Sequence, residues 1–268
     1  MSGQKGARGF RTHYRADGDG PWVVLIHGVG LDLDMWSAQA AALAKRYRIL
    51  RYDLVGHGAT PPAGEALSLS DLARQLHELL DELEIRRVSV VGFSLGALVA
   101  QAFTLAHARS VEKLVLVSGV YARSKSARES VRDRLRQVER EGCAATIEAS
   151  IERWFTENFR KQHANEVEMI AERLRNNDPN GFLPAYRMFA RADDELSGKL
   201  KHIRVPTLVV TGEQDVGSTP EMARRMSEEI PGATLRIIPR VRHMLPVEAA
   251  GDFNSLLDAF LSNQDEHP

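Results

Sequence analysis

Between Val88 and Ala106 the chain carries no charged side chain, yet the character of the stretch changes midway. Val88, Val90 and Val91 are β-branched and run into Gly92, whereas from Leu95 onward the apolar residues fall at helical spacing. The length approaches that of a membrane span, but the internal pattern reads as buried strand, tight turn and buried helix. At the junction stands Gly92-Phe93-Ser94-Leu95-Gly96, a G-x-S-x-G pentapeptide at the strand-to-helix turn that gives the pattern its meaning. A serine held there occupies an unfavourable backbone conformation, and side chains two positions away would collide with the neighbouring strand or helix. Ser94 is therefore expected to project above a sheet at a helix N-terminus, where developing negative charge is favoured.

A strand and a helix both buried on all sides require a layered α/β architecture, and the rest of the chain supplies it. Short apolar runs at Trp22–Ile26, Tyr47–Tyr52, Val88–Val91, Lys113–Ser118, Thr207–Thr211 and Thr234–Ile238 alternate with amphipathic stretches. That alternation predicts a mostly parallel central sheet flanked by helices, with Arg11–Tyr14 as an antiparallel edge. Leu72, Leu76, Leu79, Leu80 and Leu83 form one helical stripe behind a capping box of Ser68 and Asp71. Thr219-Pro220 opens another helix, and Phe253, Leu256, Leu257 and Phe260 mark a last one.

The rhythm breaks between Arg123 and Arg204, where no strand is legible. The expected organisation is a core of residues 1–122 and 205–268 with a helical cap inserted at 123–204. Arg123–Glu141 mixes both charge signs so densely that it reads as a solvated helix face. Trp154, Phe155, Phe159, Phe182, Tyr186 and Phe189 follow, and either pack the insertion or line a pocket.

With 35 basic and 36 acidic residues the formal net charge is -1, which favours neither nucleic acid nor an anionic membrane as partner. Cys143 is the single cysteine, so no intramolecular disulfide forms and a reducing compartment is expected. Met1–Gly9 carries Lys5 and Arg8 with no apolar run behind it, so neither signal peptide nor anchor is expected and the location reads as cytoplasmic.

A serine hydroxyl needs a base to take its proton, and the base needs an orienting acid. Among nine histidines His243 stands out, because Val241-Arg242-His243-Met244 follows the last strand and precedes the last helix. The acid belongs after the preceding strand, where Glu213 and Asp215 both occur. Asp215 is preferred, since it lies at the loop tip while Glu213 is close enough to the strand to serve as a structural acceptor. The oxyanion donors expected are the backbone N–H groups of Leu95 and, from the turn His27-Gly28-Val29-Gly30, of Val29. That turn lacks the Lys and Ser/Thr of a phosphate-binding loop.

The order Ser94, Asp215, His243, with His27-Gly28-Val29-Gly30 and Asp53-Leu54-Val55-Gly56-His57-Gly58, resembles the α/β-hydrolase superfamily over nearly the whole chain. Within it the chain looks most like the 3-oxoadipate enol-lactonases. The similarity lies in Leu33-Asp34-Met35-Trp36, Arg51-Tyr52-Asp53, Gln101, Glu152-Arg153-Trp154-Phe155-Thr156 and Asn177-Asp178-Pro179-Asn180-Gly181-Phe182. The resemblance implies the α/β-hydrolase fold, a mostly structural role for Asp53, and hydrolysis of a small ester or lactone without cofactor or metal. It leaves amide and carbon-carbon cleavage open as alternatives, and a non-catalytic small-molecule receptor as an alternative of another class. For a substrate bearing a carboxylate, Arg153, Trp154 and Arg187 are the expected contacts.

Overall fold

The computed structural model describes residues 9–64 and 66–263; Met1–Arg8, on which the absence of a leader was read, lies outside them. Among the described residues seven strands form one sheet: β1 (Tyr14–Asp17), β2 (Trp22–Ile26), β3 (Arg48–Tyr52), β4 (Val88–Phe93), β5 (Val111–Val117), β6 (Thr207–Gly212) and β7 (Thr234–Ile238). Their order is β1-β3-β2-β4-β5-β6-β7, and all neighbours are parallel except β1 with β3. This is the α/β-hydrolase architecture that the sequence predicts.

The edge strand is displaced from its expected position: Tyr14–Asp17, not Arg11–Tyr14, pairs with β3. Because β3 ends at Tyr52, the ladder begins at the Tyr14 and Tyr52 pair. Upstream, His13 donates its N–H to Thr60 Oγ1 at 2.9 Å, beyond the reach of the strand. At the other end Arg51 reaches Asp17 Oδ2 at 2.7 Å and fixes the register.

The helices are α1 (Ser37–Leu43), α2 (Leu69–Glu82), α3 (Leu95–Ala106), α4 (Lys125–Glu141), α5 (Ile147–Trp154), α6 (Glu157–Gln162), α7 (Ala164–Arg175), α8 (Pro179–Arg191), α9 (Asp193–Leu196), α10 (Pro220–Glu229), α11 (Leu245–Glu248) and α12 (Ala250–Ser262). Side chains alternate across β2 and feed two cores, as the period of a strand requires. Val24 and Ile26 pack with Leu72, Leu76 and Leu98 of α2 and α3. Val23 and Leu25 pack on the opposite face with Trp36, Phe253 and Leu257. The Ser68 capping box is present in full, and it starts α2 so that Leu72, Leu76, Leu79 and Leu80 are buried.

Between β5 and β6 the described chain is helical from α4 to α9. Phe182, Tyr186 and Phe189 continue the first core, while Ile147, Phe155 and Leu174 continue the second. The inserted helices are thus seated on both cores at once. Among the described residues no helix is long and apolar enough to cross a membrane.

The chain leaves β2 toward β3 on one side and returns to β4 on the other. At such a reversal the loops leaving adjacent strands diverge and open a crevice at the carboxyl ends of the strands. The loops carrying Val29 and Ser94 both emerge there.

Candidate active site

Ser94 joins β4 to α3 with φ 52° and ψ -111°, a left-handed backbone that costs a residue with a side chain about 1–3 kcal/mol. Surrounding contacts hold it there. The Ser94 N–H donates to Val117 O at 2.9 Å, and the Ser94 carbonyl accepts from Ala97 N–H at 3.0 Å. The flanking glycines have a steric cause: a Cβ on Gly92 would stand 2.2 Å from Gly96 O, and one on Gly96 would stand 2.2 Å from Ile26 O. Without those Cβ atoms α3 closes onto β2, and Ser94 is left at the head of the helix, 5% exposed.

His243 and Asp215 converge from the loops after β7 and β6. The His243 Nδ1–H donates to Asp215 Oδ2 at 2.7 Å, and both residues are buried. Asp215 Oδ1 accepts the N–H groups of Gly217 at 2.8 Å and Ser218 at 2.9 Å, so both carboxylate oxygens are committed. With Nδ1–H donated to this carboxylate, the tautomer leaves Nε2 of His243 as an acceptor. Glu213 is turned elsewhere, accepting the N–H of Arg240 at 3.0 Å. Ser118, itself strained at φ 46°, donates its hydroxyl to the His243 carbonyl at 3.0 Å.

Leu95 is the first residue of α3, so its N–H has no acceptor within its own helix. The loop after β2 packs directly on the turn: a Cβ on Gly28 would meet Phe93 Cδ1 at 2.9 Å and Ser94 Cβ at 3.3 Å. Beneath this loop His27 is locked as a neutral imidazole. Its Nδ1–H donates to Gly28 O at 2.8 Å, its Nε2 accepts the Leu54 N–H at 2.9 Å, and burial lowers its pKa. Asp53 accepts from Leu33 N–H, Ala59 N–H and His13 Nδ1–H at 2.7–2.9 Å, which ties three loops together. Burial alone would raise its pKa, but nearby His27 and these bonds bring it below the usual range.

Val29, Ser94, Asp215 and His243 line a single cavity of about 820 Å³ counted out to its mouth. Arg153 and Trp154 line it as well, and the Trp154 ring lies 6.0 Å from that of His243.

A model of the alpha/beta hydrolase family matches residues 23–256. The chain belongs to that family. The (E)-2-((N-methylformamido)methylene)succinate hydrolase of Acinetobacter baylyi is 30% identical over 255 residues, 93% of this chain and 94% of that protein. The 3-oxoadipate enol-lactonase 1 of the same organism is 27% identical over 252 residues, 91% of this chain and 89% of that one. The crystal structure of the enol-lactonase from Burkholderia xenovorans superposes with a TM-score of 0.87 at 32% identity, covering 96% of this chain and 98% of that chain. The expected likeness to the enol-lactonases therefore holds in sequence and in fold, and this alpha/beta hydrolase is an enzyme of the hydrolase class.

Of the expected site residues, Val29, Ser94, Arg153, Trp154, Asp215 and His243 line the cavity, Leu95 follows Ser94 as the first residue of α3, and Arg187 is not in the lining. Arg187 points away from the cavity lining and pairs with Glu139 at 2.7 Å on the outer side of α4 and α8. Its neighbours Tyr186 and Phe189 take the inward positions, which leaves Arg187 on the other flank of the helix. Sequence reasoning also overlooked residues that do line the cavity, notably Arg134 and Ser150. Arg134 lies in the stretch read as a solvated face. The signal that marks it is the stripe of Val131, Leu135 and Val138, the apolar side chains of α4 that turn inward. Arg134 falls within that stripe.

Proposed function

We propose that this alpha/beta hydrolase cleaves a small carboxylic ester or lactone through Ser94, His243 and Asp215. Two observations carry the reading: His243 is held by a fully bonded Asp215 carboxylate, and the strained Ser94 opens into the same cavity.

As Ser94 Oγ attacks the substrate carbonyl, its proton passes to His243 Nε2 and the carbonyl electron pair moves onto oxygen. The N–H groups of Val29 and Leu95 receive that oxyanion, each well-aimed donor contributing about 3–4 kcal/mol. Asp215 keeps the ring oriented and stabilises the imidazolium. Collapse breaks the bond to the leaving oxygen, which takes the proton from His243, and leaves an acyl-enzyme. Water, deprotonated by His243, then releases the acid and restores Ser94. In a lactone the leaving group stays tethered, so a single ring-opened acid results. Arg153, half-buried in the wall beside Trp154, pairs with a substrate carboxylate. The inserted helices, residues 123–204, act as the cap over the core. The lone Cys143 suits a reducing cytoplasm.

A second reading is favoured by one of the relatives, whose name describes hydrolysis of an N-methylformamido compound. The same residues serve for an amide, with nitrogen as the leaving atom. The test is to compare an enol-lactone of a dicarboxylic acid with an N-formyl analogue, in the wild type and in Ser94→Ala. Turnover of the lactone that disappears in folded Ser94→Ala is expected. Cleavage of the amide alone moves the reading to the second bond, and undiminished turnover in Ser94→Ala overturns the serine mechanism.

A further inference from the structure

Several arginines on the outer surface of the inserted helices pair with carboxylates: Arg136 with Asp133, Arg140 with Glu141 at 3.1 Å, Arg175 with Glu168 at 2.8 Å. Arg153 and Arg134, which with Arg123 are the three arginines lining the cavity among the described residues, differ. Arg153 on α5 donates to the Ser150 hydroxyl at 2.8 Å, and Arg134 on α4 reaches the Tyr186 hydroxyl at 3.4 Å. Among the described residues neither has a carboxylate within ion-pair distance. Both are partly buried, and burial, together with the neighbouring Arg134 charge, lowers the pKa of Arg153.

A neutral hydroxyl orients a guanidinium without balancing its charge, and two like charges facing one cavity cost stability until an anion arrives. The carboxylate already in the wall, Asp215, has both oxygens committed to His243, Gly217 and Ser218. The two cations stand on different helices with separate anchors, Ser150 for Arg153 and Tyr186 for Arg134, so each guanidinium presents its own free edge to an anion.

We propose that the cavity takes a dianionic acyl substrate, one carboxylate on Arg153 and a second on Arg134, which makes Arg134 a specificity residue for the second carboxylate. The proposal rests on the Ser94 reading for where the scissile carbonyl sits, and it holds equally for an ester or an amide.

The test uses three aryl esters of matched length whose acyl portion carries two, one or no free carboxylates. Wild-type kcat/KM is expected to favour the dianion over the monoanion by about tenfold or more, the size of one charge-assisted contact. Arg134→Gln removes that preference, lowering kcat/KM for the dianion by a larger factor than for the monoanion or the neutral ester, Arg134→Lys restores part of it, and Arg153→Gln weakens both anions. A parallel readout is the thermal shift of Ser94→Ala with succinate against acetate, which is lost when Arg134→Gln is added. A wild type that prefers the monoanion or the neutral ester overturns the proposal, as does an Arg134→Gln loss that is equal for all three esters. Failure of the Ser94 reading is distinguishable: the neutral ester would still turn over in Ser94→Ala whatever the charge preference.

Discussion

Thr156, in the inserted helices, donates its backbone N–H to the carboxylate of Glu248 at 2.9 Å. The other oxygen of Glu248 accepts the N–H of Arg242 at 3.0 Å, one residue before His243. Met244 N–H bonds to Trp154 O at 3.0 Å on the following residue. The wall that carries Arg153 and Trp154 is therefore fastened to the loop that carries His243. Bonds to a charged acceptor contribute about 1.5–3 kcal/mol each. Glu248→Ala is expected to lower stability by a few kcal/mol on that scale and to reduce kcat/KM, with Glu248→Gln intermediate in both. Denaturant midpoints and steady-state kinetics check this, and an unchanged midpoint in Glu248→Ala would show that the clamp is idle.

Asp215 and Glu213 leave the same strand and do different work. Asp215→Asn presents an amide that no longer fixes the imidazole tautomer, and a fall in kcat of about 10⁴-fold is expected by analogy with other serine triads. Glu213→Gln keeps an oxygen for the Arg240 N–H, so kcat should be unchanged. Single-turnover assays on both variants decide it, and a larger loss in Glu213→Gln would exchange the two roles.

Acid should weaken the fold through two buried imidazoles. Burial, with His27 nearby, lowers the pKa of His57 from 6.5 to about 3, and burial also lowers that of His27. In the unfolded chain both groups take up protons near pH 6.5. Between that value and about 3 the unfolded state therefore binds more protons, and stability falls as pH falls. Above pH 6.5 these groups contribute no slope. Urea midpoints measured from pH 8 to pH 4 should decline only on the acid side, at up to about 1.4 kcal/mol per pH unit for each histidine. His57→Asn, which does not titrate and keeps a donor for the Val55 carbonyl, should show a shallower decline. An identical slope would remove His57 from the account.

The expected Ser94, Asp215 and His243 were legible because local grammar marks each one, a glycine-bounded turn or a loop directly after a buried strand. Their meeting then depends only on parallel strands that all point one way. The inserted helices offered no such anchor. Arg134 lies in a run where charge density conceals a short apolar stripe. Arg187 is adjacent in sequence to the inward Tyr186, yet one residue turns a helical side chain by roughly a quarter of the circumference. The edge strand β1 was misplaced for a related reason. It is short and polar, and its register is set by Arg51, far along the chain, and not by its own pattern.

Gly92 and Gly96 meet backbone oxygen of Gly96 and Ile26, and the Ser94 hydroxyl takes no part in either contact. Two inheritances are thus written into one pentapeptide. The glycines record how a helix must close onto a sheet, and a descendant that exchanged Ser94 for another residue would still have to keep them. The serine records the reaction and is free to be lost. In a lineage drifting toward ligand binding, the hydroxyl can disappear while the frame around it stays intact.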